Sequence, residues 1–289
     1  MRQVPRLAVV DSWMTPVVIP AGSHDWGSCL SSWSLDFLIN NCDDIRASIH
    51  ASNTPFLDYA NKNFDYEVVH FKDFLNKLKS PVDSRYYYYR ALHTKIKKAA
   101  NLEVFGDVIA SGFRVPVDLV PSNSTPHSTV MRIGSPELAV WLHYDMCDNY
   151  LLQIKGTKRV VLYPPAEVPH MDIDGSSSTF STEALFSGID PHGAQSRWEC
   201  VLDEGDALFI PALWFHATMG TDPNSVASIA VNHFFILDHV KPLHASKDIW
   251  ANKDLVAYAD ALESFKKVLD LPEPYREFYR LRLLSALRG

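Results

Sequence analysis

The sequence predicts a mainly β fold, a sandwich or barrel, with helical additions that include the C-terminal end. Short β-branched or aromatic runs recur between about residues 128 and 238, separated by Gly, Pro, Asp and Ser clusters. Strands at such short intervals are typical of two packed sheets or a barrel. The chain has 289 residues, of which 47% are hydrophobic, enough for a large core. It has no uninterrupted apolar run of about 18 residues, so we expect no membrane span.

The N-terminal part, residues 1–100, mixes short strands and helices, and we expect it to pack on the barrel as an α+β extension. The segment Phe71–Lys79 places its apolar residues at helical spacing. A tyrosine-rich extended run follows. Because alternate residues of a strand face opposite sides, Tyr86 and Tyr88 share one face of that run.

The middle part, residues 101–246, holds the predicted β domain. Its predicted strands are 128–133, 137–145, 149–155, 158–165, 207–211 and 226–237. Between two of them, Gly156-Thr157 reads as a two-residue hairpin turn with glycine first. The polar, Ser-rich run 172–188 reads as a long loop.

The C-terminal part, residues 247–289, is predicted to form two amphipathic helices. Apolar residues recur at helical spacing over 254–271 and again over 272–287, and Pro272 and Pro274 separate the two runs. The helices could cap the barrel. They could equally form a dimer interface, because a second apolar face needs cover.

Charge and cysteine content limit the function classes. A net charge of −7 and a pI near 5.9 do not favour nucleic-acid binding, because phosphate contacts need Lys and Arg. The four cysteines are far apart without CxxC spacing, which argues against a zinc knuckle or a disulfide scaffold. Asp11 and two prolines interrupt the N-terminal apolar runs, so a signal peptide is not predicted. We therefore expect an intracellular protein, cytoplasmic or nuclear.

One short motif indicates metal chemistry. His143 and Asp145 are two residues apart in a predicted strand, so their side chains project from the same face. His216, about seventy residues later, could supply a third ligand. Two histidines and one carboxylate on one face leave three open positions, as in non-haem Fe(II) oxygenases. Alternatively, His143 is a hydrogen-bonded core residue and Asp145 caps a turn.

Other polar residues near this motif could bind an organic acid. Lys158 stands in an apolar strand, where a lysine needs an anionic partner such as a carboxylate of 2-oxoglutarate. Alternatively it faces solvent, and Lys155, across the predicted turn, competes for the same role. The amides of Asn149 and Asn232 could hydrogen-bond a carboxylate, or simply cap strand ends.

Two segments together resemble a known family. HYDMCDNYLLQIKGTKRVVLYPP, followed by EGDALFIPALWFH, is similar to the cupin-like group of Jumonji C hydroxylases, which use Fe(II), 2-oxoglutarate and O2. That group includes the asparaginyl hydroxylase that inhibits hypoxia-inducible factor. SSWSLDFLI, YYYYRAL and LPEPYREFYRLR extend the resemblance, in the same order, to the hydroxylases of tRNA wybutosine synthesis. The resemblance covers most of the chain.

The resemblance implies a fold and a set of site residues. The fold is a double-stranded β-helix, a jelly roll, with helical additions and a C-terminal helical dimerisation region. His143, Asp145 and His216 are the catalytic iron ligands, and Lys158 pairs with the far carboxylate of 2-oxoglutarate. The other implied co-substrate residues are Asn149, Tyr88, Asn232, Leu151, Thr218 and Phe234. Tyr87 and Tyr89 remain alternatives to Tyr88, because the choice depends on register.

The implied reaction is hydroxylation of a hypermodified guanosine, the wybutosine precursor, in tRNA(Phe), by a homodimer. Arg132 and Trp141 are the candidate substrate-binding residues. The run Lys95, Lys97, Lys98 is a further basic candidate, or else a solvated helix face. Three alternatives stay open: a hydroxylase of protein Asn, Asp, His or Lys side chains, a non-enzymatic cupin-like module, and a histone demethylase.

Overall fold

The structure, a computed structural model, describes residues 1–81, 83–92, 101–245, 248 and 252–287. Its strands are β1 (Arg2–Gln3), β2 (Val17–Ile19), β3 (Arg46–Ser52), β4 (Phe64–His70), β5 (Tyr86–Leu92), β6 (Ser124–Gly134), β7 (Ala139–His143), β8 (Asp148–Lys155), β9 (Lys158–Tyr163), β10 (Ile173–Asp174), β11 (Ser177–Ser178), β12 (Trp198–Leu202), β13 (Ala207–Ile210), β14 (Phe215–Gly220) and β15 (Ser228–Leu237). Its α-helices are α1 (Cys29–Ser32), α2 (Leu35–Asn41), α3 (Phe71–Lys79), α4 (Asp107–Ala110), α5 (Thr182–Phe186), α6 (Val256–Leu269) and α7 (Tyr275–Ala286).

The described strands form two large, mostly antiparallel sheets. The eight-stranded sheet has the order β2-β13-β8-β15-β6-β5-β3-β4, and the seven-stranded sheet has the order β1-β12-β9-β14-β7-β11-β10. Strands that are consecutive in the barrel, such as β7, β8 and β9, alternate between the two sheets. This arrangement is a jelly roll, so the predicted mainly β, cupin-like fold with C-terminal helices is confirmed.

The two faces of the eight-stranded sheet serve different purposes. In β8, Tyr150 and Leu152 face outward into the largest apolar cluster, which also contains residues of α1, α2 and α3. Leu151, between them, faces inward and packs against Leu162 of the seven-stranded sheet. Because both faces are covered, nearly every residue of β8 is buried. The outer face of the seven-stranded sheet is covered by α5 and the loops around it.

The predicted hairpin at Gly156-Thr157 is wrong. The two residues do join consecutive strands, and Gly156 has the positive φ of 76° that a glycine-first turn requires. However, β8 pairs with β13 and β15, whereas β9 pairs with β12 and β14. The turn therefore carries the chain from one sheet to the other, and Lys155 does not lie opposite Lys158 across a ladder.

Most other predicted elements have the expected type. The helix over Phe71–Lys79, the tyrosine-rich strand β5 and the two C-terminal helices α6 and α7 are all present. The run 172–188 is not a plain loop, because it contains the short hairpin β10–β11 and α5. Residues 1–100 supply five strands to the two sheets, β1 to β5. No helix in the described part of the chain is long and apolar enough to cross a membrane.

A candidate metal centre between the two sheets

Three side chains converge at one end of the inter-sheet space. His143 ends β7, Asp145 follows two residues later, and His216 lies on β14 directly opposite His143 in the antiparallel ladder. One ligand atom from each lies within 4.8 Å of the other two. The Nε2 atom of His216 is 3.5 Å from Oδ2 of Asp145, and the two imidazole rings are 4.3 Å apart. The described residues contain no other such cluster.

Backbone hydrogen bonds orient both imidazoles. Nδ1 of His143 is 2.9 Å from the carbonyl oxygen of Trp141, and Nδ1 of His216 is 3.0 Å from that of Trp214. A carbonyl can only accept, so each Nδ1 carries the hydrogen and each neutral ring keeps its Nε2 lone pair for a cation. Burial, reinforced by the neighbouring His143, lowers the pKa of His216 to about 4 and favours this neutral form.

The triad opens into a cavity of about 450 Å³ between the sheets. Among the described residues that line it, Lys62, Arg132 and Lys158 are cations, whereas Asp145 is the only carboxylate. This excess of positive charge contrasts with the net charge of −7 of the whole chain. The cavity therefore suits an anionic ligand better than the overall composition indicated.

Lys158 is the most buried of these cations. It begins β9 and is only 8% exposed, and its ammonium group has neither a hydrogen bond nor an ion pair with another described residue. Burial, with a smaller contribution from Arg132, lowers its pKa to about 8. Its competitor Lys155 is elsewhere, in an exposed ion pair of 3.1 Å with Glu204. Of Lys155 and Lys158, it is thus Lys158 that lines the cavity.

Polar groups of the eight-stranded sheet lie near Lys158. Nε of Arg132 donates to the Asn232 side-chain oxygen at 3.2 Å, and the Asn232 amide donates to Oδ1 of Asn149 at 2.7 Å. The amide nitrogen of Asn149 is fully buried and has no partner among the described residues. The Lys158 ammonium, which does line the cavity, is therefore a free donor that a bound carboxylate would satisfy.

The register of the tyrosine run selects one tyrosine for the cavity. Tyr88 pairs with Gly134 of β6, where a Cβ atom would approach the Tyr88 ring to 2.9 Å. The missing side chain leaves room for the ring, and Tyr88 lines the cavity. Tyr87 instead donates to Asp83, and Tyr89 lies in the outer core.

The structure brings together most of the predicted site residues. The predicted residues that line the cavity are His143, Asp145, His216, Lys158, Tyr88, Asn232, Leu151, Thr218, Arg132 and Trp141. Asn149 and Phe234 are not among its lining residues. They pair with each other across β8 and β15, and Phe234 packs on Cys147. The basic run Lys95, Lys97, Lys98 lies outside the described residues.

Several lining residues were missed by sequence reasoning. His50, Tyr59 and Tyr66 come from the N-terminal part and form an aromatic wall beside Trp141. Phe64 and Tyr66 are two residues apart, so the sequence could have predicted that both project from one face of a strand. Nothing in the sequence indicated that this face would meet the metal centre, because that depends on strand order.

The fold and the triad together define a class of protein. The chain belongs to the cupin-like domain family, of the Jumonji C type, whose profile matches residues 11–238. In this fold the His-Asp-His triad indicates metal binding.

Curated relatives cover nearly the whole chain. It is 35% identical to tRNA wybutosine-synthesizing protein 5 of Danio rerio, over 91% of this chain and 83% of the relative. It is 31% identical to the Gallus gallus protein of the same name, over 94% and 87%. It is 33% identical to tRNA wybutosine-synthesizing protein 4 of Emericella nidulans, but there it spans only 26% of the relative. The resemblance noted from the motifs is confirmed.

Proposed function

We propose that this chain is an Fe(II)- and 2-oxoglutarate-dependent dioxygenase that hydroxylates the wybutosine precursor, a hypermodified guanosine, in tRNA(Phe). One observation carries the proposal: a His-Asp-His triad faces a cavity whose deep end holds a buried lysine with no described partner. The relatives named for wybutosine synthesis support the choice of substrate.

The donor set fits Fe(II). Two neutral imidazole nitrogens and one carboxylate suit a divalent first-row metal, and three protein ligands leave open positions for a chelating acid and dioxygen. The rest of the cavity fits 2-oxoglutarate. Lys158 and Arg132 would take its far carboxylate, Tyr88 would donate to the same group, and Asn232, held by its hydrogen bond to Asn149, would bind the end nearer the metal. Leu151 and Thr218 provide the walls around the carbon chain.

Iron and 2-oxoglutarate supply the oxidation of a C–H bond by dioxygen, with 2-oxoglutarate converted to succinate and carbon dioxide. The chain's residues hold and orient the reactants. The carbonyl oxygens of Trp141 and Trp214 fix the two imidazoles, so that both Nε2 atoms point to one place. Lys158 neutralises a carboxylate in a site nearly closed to water, where the ion pair is stronger than at the surface. Val140 and Leu151 add apolar surface that limits the entry of water.

The proposal is tested by turnover. Purified full-length protein with Fe(II), 2-oxoglutarate and tRNA from cells lacking this chain should release succinate and add one oxygen to the precursor, as seen by mass spectrometry. The same tRNA without the precursor should give only background succinate. If a protein side chain gains the oxygen instead, the chemistry stands and the tRNA substrate is wrong. If no substrate yields succinate although the triad holds iron, the chain is a binding module.

We also propose that the chain forms a homodimer through α6 and α7. Neither helix contains a buried residue, and their exposed apolar side chains are Val256, Tyr258, Leu262, Leu269, Tyr275, Phe278, Tyr279, Leu281, Leu283, Leu284 and Leu287. An exposed apolar set of this size indicates a protein partner. A second copy offers the same set, and a two-fold axis would let the two sets cover each other.

An intracellular location, cytoplasmic or nuclear, follows from the proposed tRNA substrate. The cysteines agree with it, since all four are buried and unpaired.

A further inference from the structure

A row of aromatic rings crosses the edge of the eight-stranded sheet. His50 of β3 pairs in register with Tyr66 of β4 on one side and with Tyr88 of β5 on the other. Residues paired side by side point to the same face, and all three line the cavity. Tyr88 lies at the deep end beside Lys158, whereas Tyr66 is 56% exposed at the mouth. The row therefore runs from the co-substrate end of the cavity to solvent.

Trp141 continues this aromatic wall from the seven-stranded sheet. It lies two residues before His143 on β7, so its side chain leaves the same face of the strand as the metal ligand. Its ring lies nearly parallel to that of Phe64, at 5.6 Å and 12°, and packs against Tyr59 at 5.6 Å. Its Nε1–H group donates to Oγ of Ser177 at 3.1 Å. The indole is thus held from several sides.

Core packing explains the position of Phe64 but only part of that of Trp141, which borders the same apolar cluster and also lines the cavity. Phe64 is buried in this small cluster with Leu57 and Leu138. Trp141 is only half-buried and Tyr66 is mostly exposed, yet both line the cavity beside the metal centre. Half-covered aromatic rings around an opening provide stacking surfaces for a planar guest.

We propose that Trp141 and Tyr66 form a stacking platform for the planar ring system of the substrate. The inference rests on the proposed function and deepens it, because it says how the unstacked, modified base is recognised. The base loses its neighbours when it leaves the nucleic-acid stack, and the platform replaces them. Trp141 and His143 share a strand face. A base stacked on Trp141 would therefore lie beside the triad, with the side chain of the base directed towards the metal ligands.

The test measures binding and turnover for three variants of the full-length protein. Trp141→Leu keeps an apolar side chain but removes the flat surface, Trp141→Phe keeps a flat ring, and Trp198→Leu is the matched control. Trp198 is also a half-buried strand tryptophan, but it packs on Trp214 away from the cavity. The probes are the tRNA(Phe) anticodon stem–loop with the wybutosine precursor and the same stem–loop with guanosine.

We expect Trp141→Leu to weaken binding of the precursor stem–loop about tenfold, the scale of one base–aromatic stack. The KM for 2-oxoglutarate should stay unchanged, and binding of the guanosine stem–loop should weaken less than that of the precursor stem–loop. Trp141→Phe should recover most of the loss, and Trp198→Leu should bind both probes as the native protein does.

Two outcomes would overturn the platform. In one, Trp141→Leu retains the native preference for the precursor stem–loop. In the other, the leucine and phenylalanine variants weaken both probes equally and also raise the KM for 2-oxoglutarate, which indicates a structural role. Failure of the proposed function looks different: the native protein itself would neither prefer the precursor stem–loop nor release succinate with it.

Discussion

The inter-sheet cavity and the C-terminal helices depart from ordinary burial in opposite directions. In the cavity, polar groups such as Lys158, His216 and Asn232 are buried. On α6 and α7, large apolar side chains such as Phe278 and Leu287 are exposed. A buried polar group without a protein partner indicates a ligand, and an exposed apolar surface indicates a protein partner. The comparison thus separates the surface proposed for chemistry from the surface proposed for assembly.

The largest effect is expected from removing the carboxylate of the triad. Asp145→Ala leaves two imidazoles to hold the metal, so succinate production should fall by at least about a hundredfold. This loss exceeds the roughly tenfold to hundredfold effect of removing a residue that only orients a metal ligand. Coupled succinate detection measures this loss. Asp203→Ala, at an exposed acid on the loop before β13, is the control and should retain native activity. Native-like succinate production by Asp145→Ala would rule out the enzymatic proposal.

A somewhat smaller effect is expected at the deep end of the cavity. Lys158→Ala removes the buried cation that would pair with 2-oxoglutarate, and the KM for that acid should rise by about thirtyfold or more. Lys155→Ala is the matched control, since it breaks only the exposed pair with Glu204 and should leave this KM within about twofold. Equal effects of the two variants would contradict the assignment of Lys158.

Lys158 should lower the free energy of unfolding of the protein when no acid is bound. Burial lowers its pKa from 10.5 to about 8, which corresponds to about 3 kcal/mol at neutral pH. Lys158→Met should therefore raise the free energy of unfolding of the ligand-free protein, as measured by urea denaturation. Between pH 8 and 10.5 the unfolded state binds more protons, so native stability rises with pH and the advantage of methionine should shrink. An advantage that grows with pH would contradict this explanation.

The smallest expected effect concerns assembly. Phe278→Glu places a charge on an aromatic residue that is 58% exposed on α7, and it should weaken self-association by at least about tenfold. Sedimentation over a concentration series measures the change. Val117→Glu makes a similar change at a residue that is 91% exposed outside the helices, and it should sediment as the native protein does. A native protein that stays monomeric would exclude the dimer.

Local patterns were sufficient for much of the site. A period of two predicted that His143 and Asp145 would project together from one strand; β7 ends at His143, but Asp145, just beyond it, still joins the same cluster. The helical spacing predicted α3, α6 and α7. Lys158 could be singled out because a lysine in an apolar strand needs a partner.

The rest depended on strand order, which local patterns do not encode. In sequence, a short turn such as Gly156-Thr157 looks the same whether the next strand pairs with the previous one or crosses to the other sheet. His50 and Tyr66 precede His143, the first residue of the triad, by 93 and 77 residues. They reach the cavity only because β3 and β4 extend the edge of the eight-stranded sheet.

The crossing at Gly156-Thr157 has a consequence for the motions of the fold. It places Lys158 on the seven-stranded sheet, while Asn149, Asn232 and Tyr88 belong to the eight-stranded sheet. A small acid held by Lys158, Asn232 and Tyr88 would connect two layers that also meet through apolar contacts. When the acid is added, the amide hydrogens of β8, β9 and β15 should then all exchange more slowly with deuterium. The reason is that neither layer could open before the acid is released.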